Sequence, residues 1–304
     1  MKKQIKSKRR QSLLGVTALM LALLSLLSVL TLGVGAATNA WPRGEITDRV
    51  HSHYENIPVS VQKNGARLGD CYLIREITYA PLRSFAEAIC PDADVSFDAA
   101  SRTAYVNAGG LWLIVAEGSH YIVANGRYLY ADTPAVILDD GRMYVPIRSI
   151  ARALGVGIEW NFATRSISVT GSYAPILSGD KFYREDEVYW LARIISAESR
   201  GEPLLGQIAV GNVVLNRQKS RDFPNTIWGV IFDRKWGVQF SPVLNGSVYA
   251  EPYYLSVVAA KLCLEDVTVS EDVLYFLEPS KATSAWIPNN RAFAFKIGAH
   301  YFYY

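Results

Sequence analysis

One eleven-residue pattern occurs twice, and it constrains the fold more than any other feature of the chain. Tyr79-Ala80-Pro81-Leu82-Arg83-Ser84-Phe85-Ala86-Glu87-Ala88-Ile89 matches Tyr144-Val145-Pro146-Ile147-Arg148-Ser149-Ile150-Ala151-Arg152-Ala153-Leu154. The residues that follow match as well: Val95-Ser96-Phe97-Asp98 and Ser101–Val106 parallel Ile158-Glu159-Trp160-Asn161 and Thr164–Val169. Each unit reads as a strand, a short helix opened by proline, a strand, a tight turn and a strand. Segments 111–115, 121–123 and 127–130 supply further strands, with Asn125-Gly126 and Asp140-Gly141 as hairpin turns. A repeated β-α-β accessory domain is therefore expected over residues 58–171.

The second half is organised differently. Residues 185–199 read as a helix, because Val188, Leu191, Ala192 and Ile195 recur on one face. Glu198 is the next position on that stripe, where an apolar side chain is expected. It also lies in the last turn before the stop signal Gly201-Glu202-Pro203. Burial and the negative end of the helix dipole both disfavour an ionised carboxylate there, as a general acid requires. A surface glutamate that merely ends a helix fits the same spacing, since helix ends fray. A second helix is expected over 204–219, with Leu205, Ile208, Ala209, Asn212, Val213 and Asn216 on one face. Buried amides need partners. Asn212 is expected to bind backbone carbonyls, and for Asn216 a structural role and a ligand-facing one are both open.

The first 40 residues have the parts of an export signal. A basic cluster ends at Arg10, an apolar run follows over 13–34, and Ala36, Ala37 and Ala40 offer cleavage positions. The run is also long enough to span a bilayer of about 30 Å. A cleaved signal peptide and an uncleaved anchor over residues 11–37 both fit, and either exports the remainder. The expected location of the remainder is extracellular.

The leader also explains the net charge of +3. It holds six of the 31 basic residues and no acidic one, so the rest of the chain carries 25 basic against 28 acidic residues. That balance offers no basic field for nucleic acid. Residues 41–57 have no clear period and read as a linker, in which His51-Ser52-His53 is a solvated segment rather than a metal site. A second linker is expected over 172–181, around Pro175, Ser178 and Gly179. Three cysteines are too few for a disulfide scaffold. Cys71 and Cys90 are close enough in sequence to pair, without any spacing that requires it. Cys263 falls in an apolar helical pattern and reads as a buried thiol. No Cys–His pairing resembles a metal site.

On the Tyr-Val-Pro-x-Arg-x-x-Ala-x-x-Leu run and the strand that carries Trp160, residues 58–171 resemble the domain named after the N-terminal part of copper amine oxidases. The resemblance implies no copper site, because His120 is the one histidine within it. It implies an accessory module, for which wall binding, spacing and a purely structural role all remain open.

Residues 184–304 carry a second resemblance. Ala192-Arg193, Ala197-Glu198-Ser199-Arg200-Gly201-Glu202-Pro203, Gly206-Gln207, Ala209-Val210, Val213 and Asn216-Arg217 form its first part. Gln239-Phe240-Ser241-Pro242, Gly246, Tyr275-Phe276, Trp286 and Ile297-Gly298-x-His300-x-Phe302-Tyr303 complete it. This pattern resembles the SleB-type spore cortex-lytic enzymes, also called cell wall hydrolases. The resemblance implies a mostly α, lysozyme-like domain with a small sheet over residues 182–304. It also implies peptidoglycan as substrate and lytic transglycosylation of the MurNAc–GlcNAc bond, with the catalytic glutamate falling on Glu198. Ser199 departs from the family pattern, which often has alanine there.

The residues fit that chemistry. Glycoside cleavage normally uses two carboxylates, but one suffices if the muramic C6 hydroxyl is the nucleophile. Glu202 is expected to act structurally, capping the second helix. Gln239 and Tyr275 are the candidate cleft contacts, with Asn216 and Phe240 as further substrate-binding candidates, and His300 reads as a packing histidine. No cofactor is required. The whole reads as a multidomain α+β chain. The competing functional readings are a hydrolytic muramidase and a non-catalytic wall-binding protein.

Overall fold

The computed structural model describes residues 57–304 apart from position 236. The expected export signal, most of the first linker with its two histidines, and Trp236 lie outside the described residues. Among the described residues no helix is long and apolar enough to cross a membrane.

The first part is β-rich. Its elements are β1 (Ile57–Lys63), β2 (Ala66–Arg67), β3 (Cys71–Ile74), β4 (Ile77–Pro81), α1 (Leu82–Ile89), β5 (Asp94–Asp98), β6 (Thr103–Ala108) and β7 (Leu111–Ala116). There follow β8 (Tyr121–Ala124), β9 (Arg127–Tyr130), β10 (Val136–Ile137), β11 (Met143–Pro146), α2 (Ile147–Leu154), β12 (Gly157–Asn161) and β13 (Ser166–Thr170). The two copies of the repeated sequence meet where β4 pairs antiparallel with β11, with Tyr79 opposite Pro146 and Pro81 opposite Tyr144. Each proline ends its strand and opens its helix, where a missing N–H does no harm. The hairpins that follow then diverge. β5 and β6 begin a five-stranded antiparallel meander, β5-β6-β7-β8-β9. β12 and β13 instead extend the larger sheet, β10-β11-β4-β3-β1-β13-β12, in which β1 and β13 run parallel and β2 pairs with β1. Leu82, Phe85 and Ile89 of α1 and Ile147, Ile150 and Leu154 of α2 share one core with alternate residues of both sheets.

The second part is helical: α3 (Gly179–Phe182), α4 (Glu185–Ser199), α5 (Leu204–Lys219), α6 (Ile227–Phe232), α7 (Ser241–Asn245) and α8 (Tyr254–Leu264). It ends with β14 (Tyr275–Leu277), α9 (Trp286–Asn290), β15 (Phe293–Ile297) and β16 (His300–Tyr303), in the small sheet β14-β16-β15. Glu185, Asp186 and Glu187 suit the positive N-terminus of α4. This helix is buried around more of its girth than one stripe. Arg193 and Ser196 are enclosed along with Leu191, Ala192, Ile194 and Ile195, because α5 and α8 share a core with it and the 253 loop lies against it.

The segment between the two parts is strapped down. Ala174 and Ile176 donate backbone hydrogen bonds to Leu154 and Ala153 at the end of α2 (3.1 and 3.2 Å). Tyr173 Oη donates to the Ala108 carbonyl (2.5 Å). Gly155 permits this approach: it adopts a left-handed φ of 69°, and a Cβ there would lie 1.9 Å from the Ala174 oxygen.

The two parts are then joined through one carboxylate. Glu265, just past α8, is 0% exposed at its side chain. It accepts two bonds from Arg127 of β9 (2.7 and 2.6 Å), one from Arg152 of α2 (2.7 Å) and one from Tyr183 Oη (2.8 Å). Arg127 also lies over the Phe182 ring at 3.3 Å. Removing one partner of a buried ion pair leaves the other charge uncompensated. Arg127→Ala is therefore expected to lower unfolding free energy by about 3 kcal/mol or more. The half-exposed Arg152→Ala should cost no more than about 1 kcal/mol. Urea denaturation of the two variants checks this ranking.

Candidate active site

The site is built from the end of α4 outward. Ser199 closes that helix by donating from Oγ to the Ile195 carbonyl (2.7 Å), so it is a satisfied buried hydroxyl. Glu198, one residue earlier, is half-buried. Among the described residues, no hydrogen bond or ion pair reaches its carboxylate. Burial pushes its pKa from the usual carboxylate range to about 7, and the positive charge of Arg217 tempers the rise.

Arg217 comes from the last turn of α5 and is buried. Its Nε donates to the Leu274 carbonyl (2.7 Å). Its guanidinium lies 5.0 Å from the Phe223 ring, 5.2 Å from Phe240 and 5.4 Å from Tyr275. Burial lowers its pKa to about 10, which leaves it charged, while Tyr275, Asp233 and Glu198 act in the opposite direction. One guanidinium thus faces Glu198, Asp233 and the Tyr275 ring. Its role was not anticipated. The available signal was its place directly after Asn216, in the last turn of that helix.

Tyr275 stands on β14, half-buried, and its Oη accepts from Arg291 (2.8 Å). The Arg291 guanidinium covers the Tyr275 ring at 4.6 Å and the exposed Trp286 ring at 5.1 Å. The placement of Tyr275 depends on the polar stripe of α5. Asn212 donates to Val267 O (2.9 Å) and accepts from Val269 N (2.7 Å). Asn216 donates to Ser270 O and Val273 O (2.9 and 3.0 Å). Asn212, Asn216 and Arg217 together fix the 267–274 loop that delivers β14.

Two expected substrate contacts need correction. Asn216 is buried with its amide nitrogen bound to backbone carbonyls, so it positions the strand that carries Tyr275 instead of lining the surface. Phe240 is 2% exposed and packs near Phe276 and Arg217, which makes it core. Gln239 is half-buried and donates to the Gly237 carbonyl (3.1 Å).

Glu202 lies beyond α4, as the Gly201-Pro203 context requires, but its carboxylate does not cap α5. It accepts from Ala299 N (3.1 Å) in the β15–β16 turn and lies 3.4 Å from His300 Nδ1. Gly298 makes room for it: its φ is 56°, and a Cβ would fall 1.7 Å from Glu202 Oε2. Burial lowers the His300 pKa, with Glu202 opposing that shift, so the ring is a packing group beside Phe276. Cys71, Cys90 and Cys263 are all buried and unpaired. Among the described residues no cluster of His, Cys, Asp and Glu could hold a metal ion.

Residues 201–303 match the family described as Cell Wall Hydrolase, and residues 69–169 match the Copper amine oxidase N-terminal domain. The chain thus carries a C-terminal domain of the cell wall hydrolase family behind a module of the copper amine oxidase N-terminal type. The first matched stretch begins just after Glu198. Among relatives, a spore cortex-lytic enzyme of Bacillus cereus is 38% identical over 120 residues, which are 40% of this chain and 45% of the relative. A spore cortex-lytic enzyme of Bacillus subtilis is 36% identical over 120 residues, covering 40% of this chain and 38% of that one. The chain spans less than half the length of either. The solved catalytic domain of the germination-specific lytic transglycosylase SleB from Bacillus anthracis is 36% identical. It aligns over its whole length with 42% of this chain, at a TM-score of 0.37.

The raised Glu198 pKa has a stability consequence. An unfolded glutamate ionises near 4.5, whereas the folded one keeps its proton to about 7. Folding therefore loses stability as pH rises between those values, by up to about 3 kcal/mol. Glu198→Gln carries no such penalty. Thermal melts are expected to show the variant more stable than the parent at pH 8 and equal to it at pH 4.

Proposed function

We propose that the chain is an exported lytic transglycosylase that cleaves the MurNAc–GlcNAc bond of peptidoglycan, in the spore cortex, with Glu198 as its sole acid and base. The observation that carries this reading is the state of Glu198. It is a half-buried, unpaired carboxyl that holds its proton to about pH 7, at the end of a rigidly packed helix. In this state it donates to the departing glycosidic oxygen. The resulting carboxylate, stabilised by the charge of Arg217, then takes the proton from the muramic C6 hydroxyl. That oxygen attacks the anomeric carbon and closes a 1,6-anhydro ring. No water is activated, so no second carboxylate is needed. The attachment of Glu202 to Ala299 N and its approach to His300 support this economy, because they hold it in a structural role. Tyr275 and Gln239 are the substrate contacts in this reading, with Asn216 and Phe240 behind them.

The names of the Bacillus relatives support the choice of cortex as substrate. The remaining assignments belong to the same proposal. Residues 1–40 are a signal or anchor, 58–171 an internally repeated β-α-β accessory domain, and 182–304 a lysozyme-like catalytic domain. The protein resides in the cell wall or spore envelope.

Mass spectrometry of muropeptides released from purified cortex tests the reaction. Anhydro-muramic ends are expected, and Glu198→Gln should reduce their release by at least about a hundredfold. Reducing-end products would establish a muramidase instead, and wall binding without products would establish a binding protein. The protonated acid is required, so kcat/KM should fall tenfold per pH unit above about 7. Arg217→Met removes the charge that lowers the Glu198 pKa. It should move that alkaline limb to higher pH, with melting temperature followed in parallel.

A further inference from the structure

The five-stranded meander has two faces. Val95, Val106, Leu113, Val115, Ile122 and Leu129 point into the core. On the opposite face the register aligns Ser96, Tyr105, Ile114 and Val123 in one row across β5 to β8, and Asn107 beside Trp112 in the next. The β8–β9 end of this face is already an interface. Tyr121, Tyr128 and Tyr130 pack on the core of the helical part, and Lys261 of α8 lies over the Tyr128 ring at 5.1 Å. The β5–β7 end is open and continues directly from that interface. Trp112 is 45% exposed there, and its ring lies 5.9 Å from that of Tyr105, with 32° between their planes. Ser96 and Asn107 flank the pair as exposed polar side chains with no hydrogen-bond partner among the described residues.

We propose that this open half-face is a second glycan-binding site, which takes a peptidoglycan strand by stacking two successive sugar rings on Tyr105 and Trp112. The proposal rests on the cell-wall reading of the catalytic domain and adds a ligand for the accessory domain. The size of the patch selects the occupant. Two aromatic rings offer at most roughly 500 Å² of contact, which falls short of the about 800 Å² per partner of a stable protein interface. It suffices for sugar rings, whose apolar C–H faces stack on aromatic rings while their hydroxyls reach flanking groups such as Asn107 and Ser96. The Glu265 clasp makes the arrangement useful. It fixes β9 to α8, so the platform and Glu198 belong to one body, and a strand held at the sheet raises the effective concentration of its neighbours at the cleft.

The test uses the full chain with Glu198→Gln, so that bound wall is not degraded, and measures co-sedimentation with purified cortex peptidoglycan. Tyr105→Ala with Trp112→Ala should weaken binding about five- to tenfold, with melting temperature followed in parallel because Tyr105 is half-buried beside the exposed Trp112. Tyr105→Phe with Trp112→Phe should retain binding. Undiminished wall binding by the double alanine variant overturns the proposal and leaves the catalytic reading intact. A parent chain that does not bind the wall, and whose active form releases no muropeptides, overturns both. Ultracentrifugation covers the remaining occupant: a dimer abolished by the double alanine variant would assign the face to a second copy and overturn the glycan assignment.

Discussion

The buried carboxylate of Glu265 is the interaction on which the arrangement of the molecule depends. It sits at the C-terminal end of α8, a helix packed into the same core as α4 and α5. Four hydrogen bonds from Arg127, Arg152 and Tyr183 satisfy it. Desolvating a charge is expensive unless such partners are in place, so the clasp is formed nearly completely or not at all. The β-rich part therefore joins the helical part in one geometry. The strap over Gly155 and the tyrosines of β8 and β9 reinforce the same contact.

The same rule operates on a smaller scale around Glu198. Arg217 is a buried cation with one strong hydrogen bond, to Leu274 O, and aromatic rings around it. Its field keeps the Glu198 pKa near 7 instead of letting burial carry it higher. A carboxyl at that value can give up a proton and recover one within a single turnover at neutral pH. Asn212 and Asn216, one helical turn apart, hold the loop behind Arg217 and so fix where Tyr275 stands. The site is thus held mainly by backbone carbonyls receiving side-chain donors, which gives it a rigid frame.

Local pattern carried much of this. The repeat announced two Pro-started helices, and those form over Leu82–Ile89 and Ile147–Leu154. Glu198 on an apolar stripe near a Gly-Glu-Pro stop gave a half-buried carboxyl in the last turn of α4. Other residues were misread for one common reason. Asn216 and Phe240 occur in a motif shared with ligand-handling enzymes, but a motif does not record which way a side chain points. Glu202 was assigned to the nearest helix start, whereas its partner, Ala299, is 97 residues away. Arg127 and Glu265 are separated by 138 residues, and neither position looks unusual alone.

The sequence by itself determined the two Pro-started helices, the long helices α4 and α5, the division into a β-rich and a helical part, and the position of one carboxylate at a helix end, because periodicity and stop signals are local. Tertiary structure alone decided that the two halves of the repeat send their hairpins to different sheets, that Glu265 binds the parts together, and that burial raises the proton affinity of Glu198 while Arg217 tempers the rise. Those outcomes depend on burial and on the meeting of groups distant in the chain, and desolvation has no value until the fold has excluded water.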